Sequence, residues 1–187
     1  PAAGKSVISL LTIKQAQDKG LDCILIDAEK SFDSEFAKKF DIDTDKLTIV
    51  RLSIGEEIID TIAKLLSVQP GVIVVDSVAA MVPKTEIEES AEKNTMALKA
   101  RIMSRGLAKL NALNKKTLII WINQMRSTLE LYGAKTTTTG GRSLGHYSTI
   151  RMEVKQGEKL IGKNKDDIIG QVIQCYISKN KSGQPYK

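Results

Sequence analysis

The sequence predicts an α/β fold: a mostly parallel central sheet flanked by helices, with an antiparallel extension at the C-terminal end. Three observations carry this. Short apolar, β-branched runs alternate with stretches of helical period. Two of those runs, "VIVVD" and "TLIIWIN", are apolar at successive positions, as strands covered on both faces are. The last two runs, "STIRMEV" and "IIGQVIQCYIS", follow each other with no helical pattern between them, which suits a closing antiparallel pair.

The elements follow in order. "KSVISLLTIKQAQDKG" reads as a helix closed by Gly20, and "CILID" as the strand after it. A short amphipathic helix surrounds "SEFAKKF". "LTIVRL" is a strand and "GEEIIDTIAKLLS" a helix, stopped by Pro70-Gly71. "VIVVD" follows, then a long helix over "NTMALKARIMSRGLAKLNALN", then "TLIIWIN" and the closing pair. Two polar stretches punctuate this series, Pro83 to Lys93 and Met125 to Arg142, each after a buried strand. Loops beyond the carboxyl ends of parallel strands are where such sheets hold ligands.

A chain of 187 residues, 42% of them hydrophobic, suits one globular domain with a substantial core. No internal repeat or linker divides it. No apolar run reaches the about 18–20 residues that span a bilayer, so a membrane partner is not expected. Cys23 and Cys175 lie in separate apolar runs, which predicts two buried thiols in a reducing, cytoplasmic setting rather than a disulfide. The formal charge of +6 favours an anionic partner. Its distribution is uneven: the last nine residues, "KNKSGQPYK", carry no acid, although a solvated tail would look the same.

The strand ends hold the chemistry. "CILID" delivers Asp27-Ala28-Glu29, "VIVVD" delivers Asp76-Ser77, and "LIIWIN" delivers Asn123-Gln124. The opening residues Pro1-Ala2-Ala3-Gly4-Lys5-Ser6 read as the back half of a phosphate-binding loop, G-x-x-x-x-G-K-[ST], whose first glycine would stand two residues before Pro1. In such a loop backbone N–H groups cradle phosphate oxygens and Lys5 places a cation beside the β- and γ-phosphates. Ser6 offers Mg²⁺ a hard oxygen ligand, and Asp76, after four apolar strand residues, would hold the same ion through water. Glu29 is placed to polarise an attacking water as general base, and Gln124 to sense the γ-phosphate. Each residue alone has a blander reading: a turn cap for Asp76, a solvated carboxylate for Glu29. Together, in this order and each at a strand end, they point to one phosphate site. His146, the single histidine, is expected to pack or solvate.

The stretches "VIVVDSVAAMVPKTEIE", "LIIWINQMR" and "TTTTGGRSLGHYSTIRMEV" closely resemble bacterial-type RecA recombinases, and "LIDAEKSFD" and "SKNKSGQPYK" match the same family. The likeness runs in register along essentially the whole chain. It implies a RecA-like P-loop NTPase core over residues 1–187, truncated at both ends, within an ATP- and Mg²⁺-dependent protein that pairs homologous DNA strands in recombination, repair and the SOS response to DNA damage. By this resemblance Pro1 to Ser6 and Asp76 bind the nucleotide, Phe36 stacks on adenine, Glu29 and Gln124 act in hydrolysis, and Lys179 and Lys181 reach a neighbouring subunit's ATP. Arg101 stands at the exit of a first DNA-binding loop. Arg126, Tyr132, Thr138, Thr139, Gly140, Gly141 and Arg142 belong to a second. The implied partners are single- and double-stranded DNA, further copies of the chain in a helical filament, and a self-cleaving repressor.

There are departures from the family pattern. Phe36 replaces a tyrosine, which keeps the stacking face and loses a hydroxyl; a core role is its alternative. "EESAEKN" stands in the first loop where glycines are usual, and Arg142 follows the two glycines where an uncharged amide is typical. The second loop is slightly short, and Tyr132 reads equally well as a loop anchor. The main alternative function is a non-hydrolysing, DNA-binding or filament-regulating paralogue; Glu29, Asp76 and Gln124 together favour the enzyme. A hexameric helicase or repair ATPase is a third reading, opposed by "TTTTGGR" and the terminal "KNK".

Overall fold

All five residues of Cys23–Asp27 (β1) are buried, as are the first four of Val72–Asp76 (β3), so both strands are covered on both faces. The computed structural model in which they lie describes residues 4–88, 95–127, 136–138, 142–162 and 167–183. Around them the chain order is α1 (Lys5–Gln17), β1, α2 (Ser34–Lys38), β2 (Leu47–Val50), α3 (Gly55–Leu65), β3, α4 (Lys84–Glu88) and α5 (Thr95–Leu113). Then come β4 (Leu118–Trp121), β5 (Met125–Ser127), β6 (Thr136–Thr138), α6 (Ser143–Tyr147), β7 (Ile150–Ile161) and β8 (Ile168–Asn180). Ser9–Tyr147 forms one compact unit, and Pro1–Ile8 with Ser148–Lys187 forms another.

In the larger unit the sheet order is β2-β1-β3-β4, and every pairing is parallel. The chain passes from β1 outward to β2, then returns to lay β3 on the other side of β1. The direction of winding therefore reverses between β1 and β3, the place where open α/β sheets form a crevice at their carboxyl edge. Side chains alternate between the two faces. Ile24, Ile26, Ile73 and Val75 pack with Ile58, Ile59 and Ile62 of α3 and with Met103, Leu107 and Leu110 of α5. Cys23, Leu25, Val72 and Val74 pack with Leu10, Ile13 and Ala16 of α1. Two-sided burial is why these strands read as unbroken apolar runs.

Gly106 explains how α3 and α5 approach. Glycine in a helix interior is unfavourable, but a Cβ there would stand 2.6 Å from Ile59 Cδ1. The missing side chain lets the two helices close. Helix α1 ends at Gln17, short of the expected Gly20, and the chain leaves through a turn in which Gly20 has φ 68°. Part of the first polar stretch is helical: α4 covers Lys84–Glu88, and the Lys84 N–H donates to Glu56 Oε2 at 3.0 Å. The second polar stretch opens and closes on a short antiparallel ladder, Arg126 opposite Thr137, that periodicity did not suggest.

In the smaller unit the expected antiparallel pair is present. Strands β7 and β8 run 12 and 13 residues and form a two-stranded sheet of their own. The cysteine expectation holds for one residue and fails for the other. Cys23 is buried, and that burial, with the Asp22 charge beside it, pushes the thiol pKa up. Cys175 is exposed. A two-stranded ribbon bears side chains on both faces with no third strand beside it, so an apolar run in it does not imply burial.

Gln69, between α3 and β3, holds two connections at once. Its Nε2 donates to the carbonyls of Leu66 and Leu113, and its Oε1 accepts from the N–H groups of Lys115 and Lys116 at 3.0 and 3.1 Å. Its φ of 51° lies in the left-handed region. Gln69→Ala removes these bonds and keeps the strained backbone, so it should cost about 1–3 kcal/mol, read as a lower urea midpoint at unchanged slope. Gln69→Gly loses the same bonds but suits the backbone, and should be less destabilised than the alanine variant. Equal stability of Gln69→Ala and wild type would refute this role.

Candidate functional site

Strands β1 and β3 end side by side, with Asp27 paired to Asp76. Asp27 is 2% exposed and spends its carboxylate on the chain that follows. Its Oδ1 accepts from the Ser31 N–H at 3.0 Å and its Oδ2 from the Phe32 N–H at 3.1 Å. Arg51 Nε lies 3.8 Å from the same Oδ2. The turn this clamps includes Lys30 in the left-handed region, φ 54°. From the other strand, the Asp76 carbonyl accepts from Ala28 N–H at 2.8 Å and from Glu29 N–H at 3.2 Å. The backbone of Glu29 is thus held by both strands.

The Glu29 side chain is held as well. The Ser77 hydroxyl donates to Glu29 Oε1, and Gln124 Nε2 approaches the same oxygen at 3.4 Å. Ser77 is fully buried, whereas Glu29 is exposed. Gln124 is placed by β4, whose end is tied to β3 by Ile122 N–H to the Val75 carbonyl at 3.0 Å. The Val78 N–H donates back to the Ile122 carbonyl at 2.9 Å. Glu29, Asp76 and Gln124, expected at three strand ends, therefore gather on one edge. An exposed carboxylate with two donors on one oxygen leaves its other oxygen to accept a proton from water.

The remaining expected residues divide by place. Gly4, Lys5 and Ser6 open α1 and belong to the smaller unit. Gly4 needs to be glycine: its φ is 83°, and a Cβ would meet Ile173 Cδ1 at 2.3 Å. Lys179 and Lys181 lie in the same unit, and Lys179 is the direct cross-strand partner of Arg151. Desolvation, then the charges of Lys181 and Arg151, pull the Lys179 pKa below its ordinary value. Phe36 on α2 is 41% exposed, its ring edge-on to Phe40 at 5.1 Å, so it is not a core residue. The Asp33 carboxylate caps that helix, accepting from the N–H groups of Glu35 and Phe36.

Arg101 on α5 and Arg142 before α6 are exposed. Arg126 and Thr138 are placed as backbone of β5 and β6. Pro1, Ala2, Ala3, Tyr132, Thr139, Gly140 and Gly141 lie outside the described residues. His146 is exposed, edge-on to Tyr147 at 5.3 Å. Sequence reasoning placed Asp27 and Ser77 at strand ends but gave neither a role. Both follow directly from their positions at strand ends, but neither residue type signals by itself whether its polar atoms turn toward a ligand or toward the protein.

The whole chain, residues 1–187, matches the RecA N-terminal domain. It is 40% identical over 190 residues to the protein RecA of Mesoplasma florum, covering all of this chain and 56% of that protein. It is 43% identical over 192 residues to the protein RecA of Fusobacterium nucleatum, covering all of this chain and 50% of that protein. A third relative, the protein RecA of Francisella tularensis subsp. novicida, is 40% identical over 191 residues, with 52% of its length covered. The chain spans about half the length of these curated relatives. It belongs to the RecA N-terminal domain family.

Proposed function

We propose that this chain is the nucleotide- and DNA-engaging core of a DNA-dependent ATPase that forms helical filaments on single-stranded DNA. In that state it would catalyse homologous pairing and strand exchange in recombination and repair, in the cytoplasm. One observation carries the reading: Glu29 and Gln124 are hydrogen-bonded to each other beside Asp76, at the switch point of a parallel sheet. A purely binding paralogue has no need of a carboxylate oriented in this way. The family likeness along the full chain supports the same reading.

On this reading Lys5 places its charge at the γ-phosphate, while the N–H groups that open α1 face the phosphate oxygens. Phe36, exposed on α2, offers its ring to adenine. Glu29 takes a proton from water, and Gln124 reports the γ-phosphate to the stretch it precedes. Among the described residues no group of three or more His, Cys, Asp or Glu side chains gathers as a metal cage. The donors that the family likeness implies are the Ser6 hydroxyl and the half-buried Asp76 carboxylate, both hard oxygen ligands. That set suits Mg²⁺, which leans on one or two protein ligands and on substrate phosphates. When bound, it supplies positive charge that offsets the charge of the phosphates.

In the full-length gene product, Lys5→Ala should abolish ATP hydrolysis. Glu29→Gln should keep ATP binding and filament assembly but lower turnover by about 10²–10⁴-fold, because a near-isosteric amide cannot act as the base. Wild-type turnover by Glu29→Gln would remove it from the mechanism.

For DNA, the second loop carries guanidinium, hydroxyl and glycine N–H groups, all suited to phosphate oxygens. Arg126→Glu and Arg142→Glu should each weaken single-strand binding while nucleotide binding without DNA is unchanged. The slope of log affinity against log salt should become shallower by about 0.7 for each phosphate that is no longer neutralised. Unaltered binding in both variants would mean that this segment does not hold DNA.

For the interface, Arg151, Lys179 and Lys181 bring like charges together at one end of the ribbon, a repulsion that an anion relieves. We assign Lys179 and Lys181 to the γ-phosphate of a neighbouring subunit, where a second cation stabilises charge on the transferring group. Lys179→Ala with Lys181→Ala should abolish DNA-stimulated hydrolysis and cooperative assembly in a folded protein. Mixed with the Lys5→Ala protein, it should recover part of the activity at hybrid interfaces. Co-assembly without recovery would rule out action between subunits.

A further inference from the structure

Ser77 has no part in the mechanism above, yet its side chain bonds directly to the proposed base. It is fully buried, at 0% exposure, directly after the last residue of β3. Buried hydroxyls are for the most part hydrogen-bonded, and here the acceptor is Glu29 Oε1. Glu29 itself is exposed, on a side chain with three rotatable bonds. Its backbone is clamped through the Asp76 carbonyl, but a backbone clamp does not choose a side-chain rotamer. Ser77 does, from a strand end that the core holds rigid. Gln124 adds a second, longer donor to the same Oε1, at 3.4 Å. Two donors on one oxygen leave Oε2 as the open acceptor.

We propose that Ser77 is a positioning residue for Glu29: its hydroxyl anchors Oε1, so that Oε2 is the oxygen that receives the proton of the attacking water. The inference rests on Glu29 being the general base. In the step it serves, water's proton passes to Glu29 Oε2 as the water oxygen bonds to the γ-phosphorus. The bond from that phosphorus to the β–γ bridging oxygen breaks, and its electron pair leaves with ADP. The two donors differ in origin. Ser77 sits on the rigid sheet edge, whereas Gln124 immediately precedes the segment assigned to DNA. Loss of Ser77 should therefore slow hydrolysis equally with and without DNA.

The test is steady-state ATP hydrolysis by the full-length gene product at saturating ATP, with and without single-stranded DNA. Ser77→Ala should lower kcat about 10- to 100-fold by the same factor in both conditions, the effect of losing a hydrogen bond to a charged group. KM for ATP and the urea midpoint should stay near wild type. Ser77→Cys, similar in size with a weak S–H donor, should fall between the two. In a Glu29→Gln background, Ser77→Ala should have no further effect. The proposal is overturned if Ser77→Ala turns over like wild type, or if it slows the Glu29→Gln protein by the same factor as the wild type. It is also overturned if only the DNA-stimulated rate falls. Should the alanine variant not fold, the cysteine variant decides: reduced kcat at unchanged KM supports the anchor, and wild-type kcat ends it. Full activity of Glu29→Gln alone would instead remove the base, a failure visible before any change at Ser77.

Discussion

The parallel pairing of β1 with β3 is the constraint on which the rest of this structure depends. Five consecutive residues match in register from Cys23–Val72 to Asp27–Asp76, and helices cover both faces of the pair. Two-sided burial leaves these strands little freedom to slip, because a shift of one residue would exchange every side chain between two cores of different shape. The register therefore fixes where the two chains leave the sheet. Winding reverses between these strands, so the departing segments diverge at the edge where open α/β sheets bind ligands. The two aspartates at the exit then take different tasks. Asp27 is buried and holds the turn that presents Glu29, while the Asp76 carbonyl holds the same turn from the opposite side.

What could be read from the sequence follows from the same constraint. A strand buried on both faces has to be apolar throughout, so "VIVVD" and "CILID" announced both their structure and their ends. Asp76 was legible because it ends such a run and Glu29 because it stands two residues beyond one. Gln124 follows the apolar run of β4, which was expected to be buried but is an edge strand with Leu118 exposed and Ile119 to Trp121 half-buried. Residues whose environment is set by tertiary neighbours were not legible. Cys175 lies in an equally apolar run, but among the described residues its strand pairs with one other, so the run says nothing of burial. Met125–Ser127 and Thr136–Thr138 form a ladder too short to display a period. Ser77 carries no signal in its type; only the meeting of three strand ends shows where its proton goes. The roles of Lys179, Lys181 and the second loop came from family likeness, since alternate lysines beyond a strand read as a solvated turn.

The charges of the smaller unit are arranged at some cost in stability. Arg151 and Lys179 are direct cross-strand partners, a pairing that antiparallel sheets disfavour for like charges. Glu153 lies 3.9 Å from Arg151 and offsets part of it, but surface pairs of this kind contribute little. Desolvation first, and then the nearby Lys181 and Arg151 charges, lower the pKa of Lys179. Phosphate oxygens would reverse the sign of these interactions, so a site that is unfavourable alone becomes favourable when an anion arrives. On the proposed assignment of Lys179 and Lys181, a cation cluster built in this way would couple assembly to nucleotide binding.

The two donors on Glu29 Oε1 divide positioning from control. On the proposed function, a hydroxyl fixed on the sheet edge would hold the carboxylate with or without DNA. An amide at 3.4 Å lies at the limit of hydrogen bonding, where a small displacement makes or breaks the bond. Gln124 also directly precedes β5, one half of the ladder that opens and closes the segment assigned to DNA. If both donors were equally tight, DNA binding could change little at the base; if both were loose, Glu29 would sample rotamers without partners. On the proposed reading, one firm and one marginal bond would let DNA alter the charge environment of an oxygen that stays in place. On the proposed function, coupling between DNA and hydrolysis would require no movement of the sheet, only a change in how closely Gln124 approaches the carboxylate that Ser77 holds.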